Sequence, residues 1–281
     1  MAQSAAPPEQ FDFVVKPTRG WAPLHLRALW DYRELMAFLA WRDVMVRYKQ
    51  SLLGVAWVVI QPLIAMVVFT VVFGRFARLP SGGVPYAVFT YSALLPWQLF
   101  STALTRSANS LLTSSSLLTK VYFPRLVLPV AATLANVVDF AISLVVFFGL
   151  LAVFRIWPGW PILVLPLLVL LTIATALAFG IWLAALNVRY RDVGYVLPFM
   201  IQLSLYISPV AYSAQLVPSG PWRVAYALNP LAGLIQAYRW ALIRGPVPDY
   251  TLLISVAMVA FLLVSGIYYF RRIEKTFADV V

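Results

Sequence analysis

The sequence contains no cysteine and a single histidine, His25. Without thiols there is no disulfide and no thiolate metal site, and one histidine cannot by itself form a metal site or a catalytic relay. Charged residues are also scarce, at 11% of 281 residues, whereas 62% are hydrophobic and the mean hydropathy is +0.86. A soluble domain of this size could not bury so much apolar surface, so most of the chain is expected to face lipid.

Motifs for nucleotide chemistry and acid–base catalysis are also missing. No G-x-x-x-x-G-K-[ST] run occurs, so ATP and Mg²⁺, if they are used, must be bound by a separate polypeptide. The only carboxylate inside an apolar segment is Asp139, which indicates either a proton relay or, as we favour, a satisfied polar contact between helices. Other acidic residues do not converge on one place, which argues against a membrane glycosyltransferase and predicts that the chain is not an enzyme by itself.

The net charge of +11 is spread over the flanks of the apolar segments instead of forming one stripe. This distribution is typical of contacts with anionic lipid headgroups and does not favour nucleic acid. The N-terminus lacks the basic and then apolar pattern of a cleaved signal peptide, so we expect the first span to direct insertion.

Apolar runs of about 20 residues predict membrane-spanning helices, because a helix rises about 1.5 Å per residue and the hydrocarbon is about 30 Å thick. We predict an all-α integral membrane protein, with six transmembrane helices in a domain at 51–270. The predicted spans are 55–73, 84–104, 126–154, 161–186, 193–213 and 251–270.

Most of the 21 Lys and Arg residues lie on one side of these spans, which predicts that both termini are cytoplasmic. Residues 225–243 are apolar enough to be read as a seventh span, but an odd number of crossings would place the basic tail 271–281 outside. That segment also carries Arg239, which is costly against lipid. We therefore interpret 214–245 as an outer re-entrant helical hairpin shielded by protein.

The N-terminal part divides at its prolines into a flexible cytoplasmic segment, 1–29, and a helix, 30–50. Trp41, Met45 and Tyr48 fall on one side of this helix, with basic residues opposite. The pattern is typical of a helix lying in the inner membrane interface. A simple positive anchor for the first span fits the pattern equally well.

Two further patterns each have two interpretations. The loop at 105–125 combines leucines with hydroxyl residues, which suits either docking on a soluble partner or an interfacial connector. Aromatic and amide side chains on the first and fifth spans suit either the interfacial aromatic belt or a passage for sugar rings. The candidate passage residues are Gln61, Phe69, Phe73, Gln202 and Tyr206.

Four sequence blocks together resemble the membrane-spanning subunit of type-2 ABC exporters, in the branch for O-antigen, capsular polysaccharide and teichoic acid. The blocks are WRDVMVRYKQSLLGVAWVVIQPL at 41–63, LLTKVYFPRLVLP at 117–129, NVRYRDVGY at 187–195 and ALNPLAGLIQAYR at 227–239. The resemblance covers nearly all of 30–281.

The resemblance implies roles for particular residues. The helix 30–50 would be a gate helix, with Trp41, Met45 and Tyr48 at the cytoplasmic entrance. Asn229 and Pro230 would belong to the outer re-entrant helices at the exit. A coupling helix received by the ATPase would contain Asn109, Leu111, Leu112, Leu117 and Leu118.

The resemblance also implies an assembly. Two copies of the chain would combine with two cytoplasmic ATPase subunits in the bacterial inner membrane, and the passage would form between the first and fifth spans of the two copies. The substrate would be a glycan on an undecaprenyl-type lipid. Export of a drug or small lipid is the alternative, and a proton-coupled carrier would have to depend on Asp139.

Overall fold

The computed structural model describes residues 26–49, 54–190, 192–218 and 220–274. Within these ranges every regular element is helical, which confirms the predicted all-α class. The predicted flexible segment 1–29 lies outside the described residues up to residue 25, and its last residues already belong to a helix. The last seven residues of the predicted tail also lie outside these ranges.

The helices follow one another with short connections. In chain order they are α1 (Leu26–Asp31), α2 (Arg33–Lys49), α3 (Gly54–Phe69), α4 (Tyr86–Thr113), α5 (Ser115–Lys120), α6 (Val127–Leu134), α7 (Val137–Val153), α8 (Leu165–Arg189), α9 (Val193–Ile207), α10 (Pro221–Ala227), α11 (Pro230–Ile243) and α12 (Tyr250–Ile273). A π-helical stretch, Thr70–Phe76, continues α3, and 3₁₀ turns at Trp160–Val164 and Ala214–Leu216 precede α8 and α10.

Four helical segments in the described part of the chain are long and apolar enough to cross a membrane. They are Gly54–Phe76, Val127–Val153, Trp160–Arg189 and Tyr250–Ile273. Each coincides with one of the six predicted spans. Of the other two, α9 has only 15 residues, about 22 Å of helix against a hydrocarbon core of about 30 Å. The last, α4, is long enough at 28 residues but is less apolar.

The lower hydropathy of α4 follows from its central position. It packs against α3, α6, α7, α8 and α11, so that side chains such as Tyr91 and Leu95 are completely buried. A helix surrounded by protein does not need an apolar surface towards lipid, and it tolerates hydroxyl groups that bond to their own backbone. Ser92, for example, donates to the carbonyl of Phe89 at 2.7 Å.

Glycines allow the closest helix contacts in the bundle. A Cβ on Gly180 of α8 would lie 2.4 Å from Ser107 Oγ of α4, and a Cβ on Gly233 of α11 would lie 2.6 Å from Ser255 Oγ of α12. Small residues are enriched where membrane helices approach closely, because packing and not hydrophobic burial drives their association. These two contacts join α8 to α4 and α11 to α12.

The predicted span 126–154 is interrupted between α6 and α7. At the break, the Asn136 side-chain amide donates to the carbonyls of Ala132 at 2.8 Å and Thr133 at 3.3 Å. An asparagine side chain that bonds to nearby backbone competes with the regular helical pattern, so the break falls at this residue.

The predicted hairpin region 214–245 contains a 3₁₀ turn and two helices, α10 and α11. Almost every side chain of α11 is buried, Tyr238 and Leu242 completely. Asn229 caps α11, because its Oδ1 accepts from Leu231 N at 3.1 Å, and Pro230 takes the first helical position, where its missing N–H is not needed. The Asn-Pro pair is therefore a helix start signal.

Candidate functional site

Asp139, the carboxylate inside an apolar helix, is bound by two side chains of α2. Arg47 Nη1 donates to Asp139 Oδ2 and the Tyr48 hydroxyl donates to Oδ1. Arg47 Nη2 also lies 3.5 Å from Asn136 Oδ1. The interpretation of Asp139 as a satisfied polar contact between helices is confirmed, and the pair fixes α2 against the start of α7.

The surroundings of Arg47 lower its pKa but leave its charge in place. Burial lowers the pKa of the guanidinium to about 10, the nearby Arg106 adds to this decrease, and Tyr48 and Asp43 oppose it. Arg47 therefore stays protonated at neutral pH and remains an ion-pair partner for Asp139. Burial raises the pKa of the Tyr48 phenol, so that Tyr48 remains a hydrogen-bond donor.

The residues predicted for a gate helix lie on α2 with different exposures. Trp41 is 60% exposed, Met45 is exposed and Tyr48 is half-buried. The residues of α2 that pack on the bundle are instead Leu39 and Val44. Sequence reasoning missed Leu39, which contacts the cluster around Val127 and Leu128.

The residues predicted for coupling to an ATPase also differ in their exposure. Leu111 is completely buried, and Leu117 and Leu118 are partly buried against the cluster that contains Phe123. Leu112 is 40% exposed, so of the four leucines it is the one most available to a partner.

Asn109 has an internal role. Its Oδ1 accepts from Asn187 Nδ2 at 2.9 Å, and its own Nδ2 donates to the carbonyl of Thr105 at 2.9 Å. Asn187 Nδ2 also donates to the carbonyl of Ala108. Asn109 therefore joins the Thr113 end of α4 to the end of α8, where the block 187–195 begins.

A cavity of 570 Å³ separates α2 from the corner between α4 and α5. Arg42 and Asp43 line it from α2, at 2.8 Å from each other, and Arg106 lines it from α4. Arg106 is a residue that sequence reasoning did not assign to any site. The signal that could have identified it is its position. It is a charged residue one turn beyond an apolar span, at the same end as the basic residues of α2.

The predicted passage residues lie on α3 with its π-helical extension and on α9. Gln61 on α3 and Gln202 on α9 are exposed, and Tyr206 is 59% exposed. Phe69 and Phe73 are half-buried and form a T-shaped pair, with ring centroids 5.5 Å apart. In the bundle, α3 packs on α4 and α7, whereas α9 packs on α4 and α8.

At the Tyr86 end of α4, a buried cation organises the segment that follows α9. Arg239 of α11 is 5% exposed, and its Nη atoms donate to the carbonyls of Tyr212 at 3.0 Å and Val210 at 2.9 Å. Its guanidinium carbon lies 3.6 Å from the centroid of the Phe89 ring. The sequence identified Arg239 as costly against lipid, and in the structure burial removes it from lipid.

Asn229 lies where α9, α10 and α11 meet. Its Nδ2 donates to Ser208 Oγ at 3.1 Å, which joins the start of α11 to the end of α9. Asn229 and Pro230 also line an apolar cavity of 540 Å³ between α9 and the rest of the bundle.

Four apolar membrane-length helices, arranged with others around the buried α4, define a multi-pass membrane protein. Residues 34–243 match the family model described as "ABC-2 type transporter", and the chain belongs to that family. The predicted resemblance to type-2 ABC exporters is confirmed.

The chain is similar to three curated permeases or transport proteins. It is 32% identical over 253 residues to the "O-antigen export system permease protein RfbA" of Myxococcus xanthus, with 89% of this chain and 96% of that protein covered. It is 27% identical over 253 residues to the protein of the same name from Klebsiella pneumoniae, covering 88% and 95%. It is 22% identical over 246 residues to the "Polysialic acid transport protein KpsM" of Escherichia coli, covering 83% and 91%.

Proposed function

We propose that this chain is the membrane-spanning permease of an ATP-driven exporter that moves a lipid-linked polysaccharide of the O-antigen type across the bacterial inner membrane. The similarity to the Myxococcus xanthus O-antigen permease, over 96% of that protein, is the observation that carries the proposal. ATP and Mg²⁺ are bound by a separate ATPase subunit, because no P-loop motif is present in the sequence.

In this proposal the chain crosses the membrane six times, with α4 and α9 as the two crossings in addition to the four long apolar helices. Both termini are cytoplasmic, α2 lies in the inner interface, and α10 and α11 form an outer re-entrant hairpin. The burial of α11 supports this arrangement, because backbone and polar groups at membrane depth are tolerated when protein surrounds them.

The passage forms between two copies of the chain. Gln61 and Gln202 are exposed on apolar helices, where an amide facing lipid would be unfavourable. Contact with a second copy or with a hydrated glycan would satisfy both amides. Exposed Tyr206 would present an aromatic face to sugar rings.

Coupling runs through the Thr113 end of α4. The exposed Leu112 contacts the ATPase, and Asn109 passes movement to α8 through its bond with Asn187. The cavity between α2 and α4 allows the gate helix to move relative to the coupling segment. The Arg47–Asp139 pair keeps the last turns of α2 attached to α7 during this movement.

The direct test is to co-express the chain with the ATP-binding protein encoded beside it, purify the assembly in detergent and measure its ATPase activity with lipid-linked glycan. We expect a stable complex whose turnover responds to the glycan. A complex that responds equally to a drug or a small lipid would favour the alternative substrate class. A chain that purifies without the ATP-binding protein would contradict the proposal.

A further inference from the structure

A cavity of 430 Å³ lies at the Tyr86 end of α4, separate from the surfaces used in the proposed function. Its walls are the loop 80–84 before α4, the segment 213–216 after α9 and the last turns of α11 up to Pro246. Two arginines line it, Arg239 and Arg244, together with the amides of Gln215 and Gln236. The residues that line it include no carboxylate.

The charge of Arg239 is not neutralised within the described part of the chain. The ion pairs found there are Arg42–Asp43, Arg47–Asp139 and Arg223–Asp249, and none involves Arg239. Its hydrogen-bond acceptors are neutral carbonyls, and its Nε atom is buried without a partner. A buried cation without a counter-ion gives the adjoining cavity a positive potential that is weakly screened by water.

Arg244 supplies the group that a ligand would contact. It ends α11 in the left-handed conformation, with φ 56°, and its side chain is exposed at the cavity. A guanidinium presents N–H donors in a planar fork that matches the two oxygens of a carboxylate or phosphate. Gln236, one helical turn before Arg239, adds an amide donor on the same side of α11.

We propose that this cavity is an oxyanion-binding site, which holds a phosphate or carboxylate group through Arg244 with the buried charge of Arg239 behind it. Two sources present such a group at a membrane surface: a phospholipid headgroup and an acidic sugar. Both share the chemistry that the cavity recognises, and binding to either is independent of ATP hydrolysis and of export.

The test is equilibrium dialysis of the full-length chain in neutral detergent against labelled inorganic phosphate and, separately, labelled glucuronate, at constant ionic strength. We expect saturable binding of one anion per chain. Arg244→Gln should weaken binding at least about tenfold, since a charge-assisted hydrogen bond contributes about that factor. Arg244→Lys should retain an intermediate affinity because it keeps the charge but loses the fork.

Arg155→Gln is the matched control. Arg155 is also exposed and also adopts a left-handed conformation, with φ 56°, but it does not line the cavity. Both substitutions therefore impose the same backbone strain. Unchanged binding in Arg155→Gln together with loss in Arg244→Gln would support the site. Equal binding in wild type and Arg244→Gln, or no saturable binding, would overturn it.

Competition experiments identify which molecule supplies the bound oxyanion. A short-chain phosphatidylglycerol that displaces the labelled anion, when diacylglycerol does not, assigns the site to a lipid headgroup. Displacement by glucuronate at lower concentration than by the lipid assigns it to an acidic sugar. Because neither measurement uses the ATPase, failure of this site and failure of the exporter proposal are distinguished.

Discussion

The pair formed by Arg47 and Asp139 brings opposite charges together at a partly buried position between α2 and α7. Their side chains are 15% and 19% exposed. Removing one member of such a pair leaves the other without a counter-charge in a poorly hydrated environment, so its cost exceeds that of losing a surface ion pair. Asp43, paired with Arg42 in a more exposed position, offers a comparison within the same chain.

We expect Asp139→Asn to destabilise the chain by about 1 to 3 kcal/mol, because Arg47 loses its partner. Asp43→Asn should cost at most about 0.5 to 1 kcal/mol. Thermal unfolding in detergent, followed by the fluorescence of the ten tryptophans, measures both. Equal effects of the two substitutions would mean that the Arg47–Asp139 contact stabilises the fold no more than an exposed ion pair does.

Gly180 is required because Ser107 leaves no space for a Cβ. Gly180→Ala should cost about 1 to 3 kcal/mol, the usual penalty for inserting a methyl group into a packed contact. Adding Ser107→Gly should recover part of the loss, which a double-mutant cycle in the same unfolding assay would detect. Gly149 of α7 has nothing within 4 Å of a built Cβ, so Gly149→Ala should be neutral or stabilising. Lack of recovery in the double variant would contradict this explanation.

Helices in this chain were predictable from the sequence where the protein-facing and lipid-facing sides both need apolar residues. They were less predictable elsewhere. The segments now seen as α3, α8 and α12 were identified because they are apolar on every side. The end of α4 was missed, since Arg106 and the hydroxyl residues around it read as a loop, although α4 packs on α6 and is helical to Thr113.

The candidate sites were predictable only in part for a similar reason. A leucine in a polar segment indicates an apolar contact, but the sequence does not say whether the contact is internal or with another protein. Leu111 turned inwards and Leu112 outwards, because successive helical residues are about 100° apart. Arg239 was recognised as unusual, whereas its carbonyl acceptors depend on a turn of chain that has no sequence signature.

Leu112 is therefore the residue of α4 on which coupling can be tested without disturbing the core. We expect Leu112→Asp to leave the chain folded but to reduce co-purification with the ATPase and to abolish stimulation by glycan, because an apolar contact is lost. Adding Leu118→Asp should strengthen the effect. Trp157→Asp, which is exposed in the loop between α7 and α8, is the control. Unchanged co-purification and stimulation in the double variant would remove the coupling assignment.

The whole molecule has two apolar surfaces that a single chain does not cover. Only Pro62 and Met66 are buried on α3, and only Leu197 on α9. The exposed remainder carries Gln61 and Gln202, which favours contact with protein or water over contact with lipid. An interface between two copies related by a two-fold axis uses the same patch on both chains, so such a dimer would pair α3 of each chain with α9 of the other.

Cross-linking tests this dimer directly, since the natural chain has no cysteine and introduced thiols are the only reactive ones. We expect a chain carrying both Gln61→Cys and Gln202→Cys to form covalent dimers in membranes with a short bis-maleimide. The control carries Leu170→Cys and Leu253→Cys, which are exposed on α8 and α12. It should remain monomeric, because those positions face lipid in the proposed assembly. Dimers from both chains would indicate random collision, and monomers from both would contradict an α3–α9 interface. Dimers from the glutamine-position variant with monomers from the control would support a passage built from two copies.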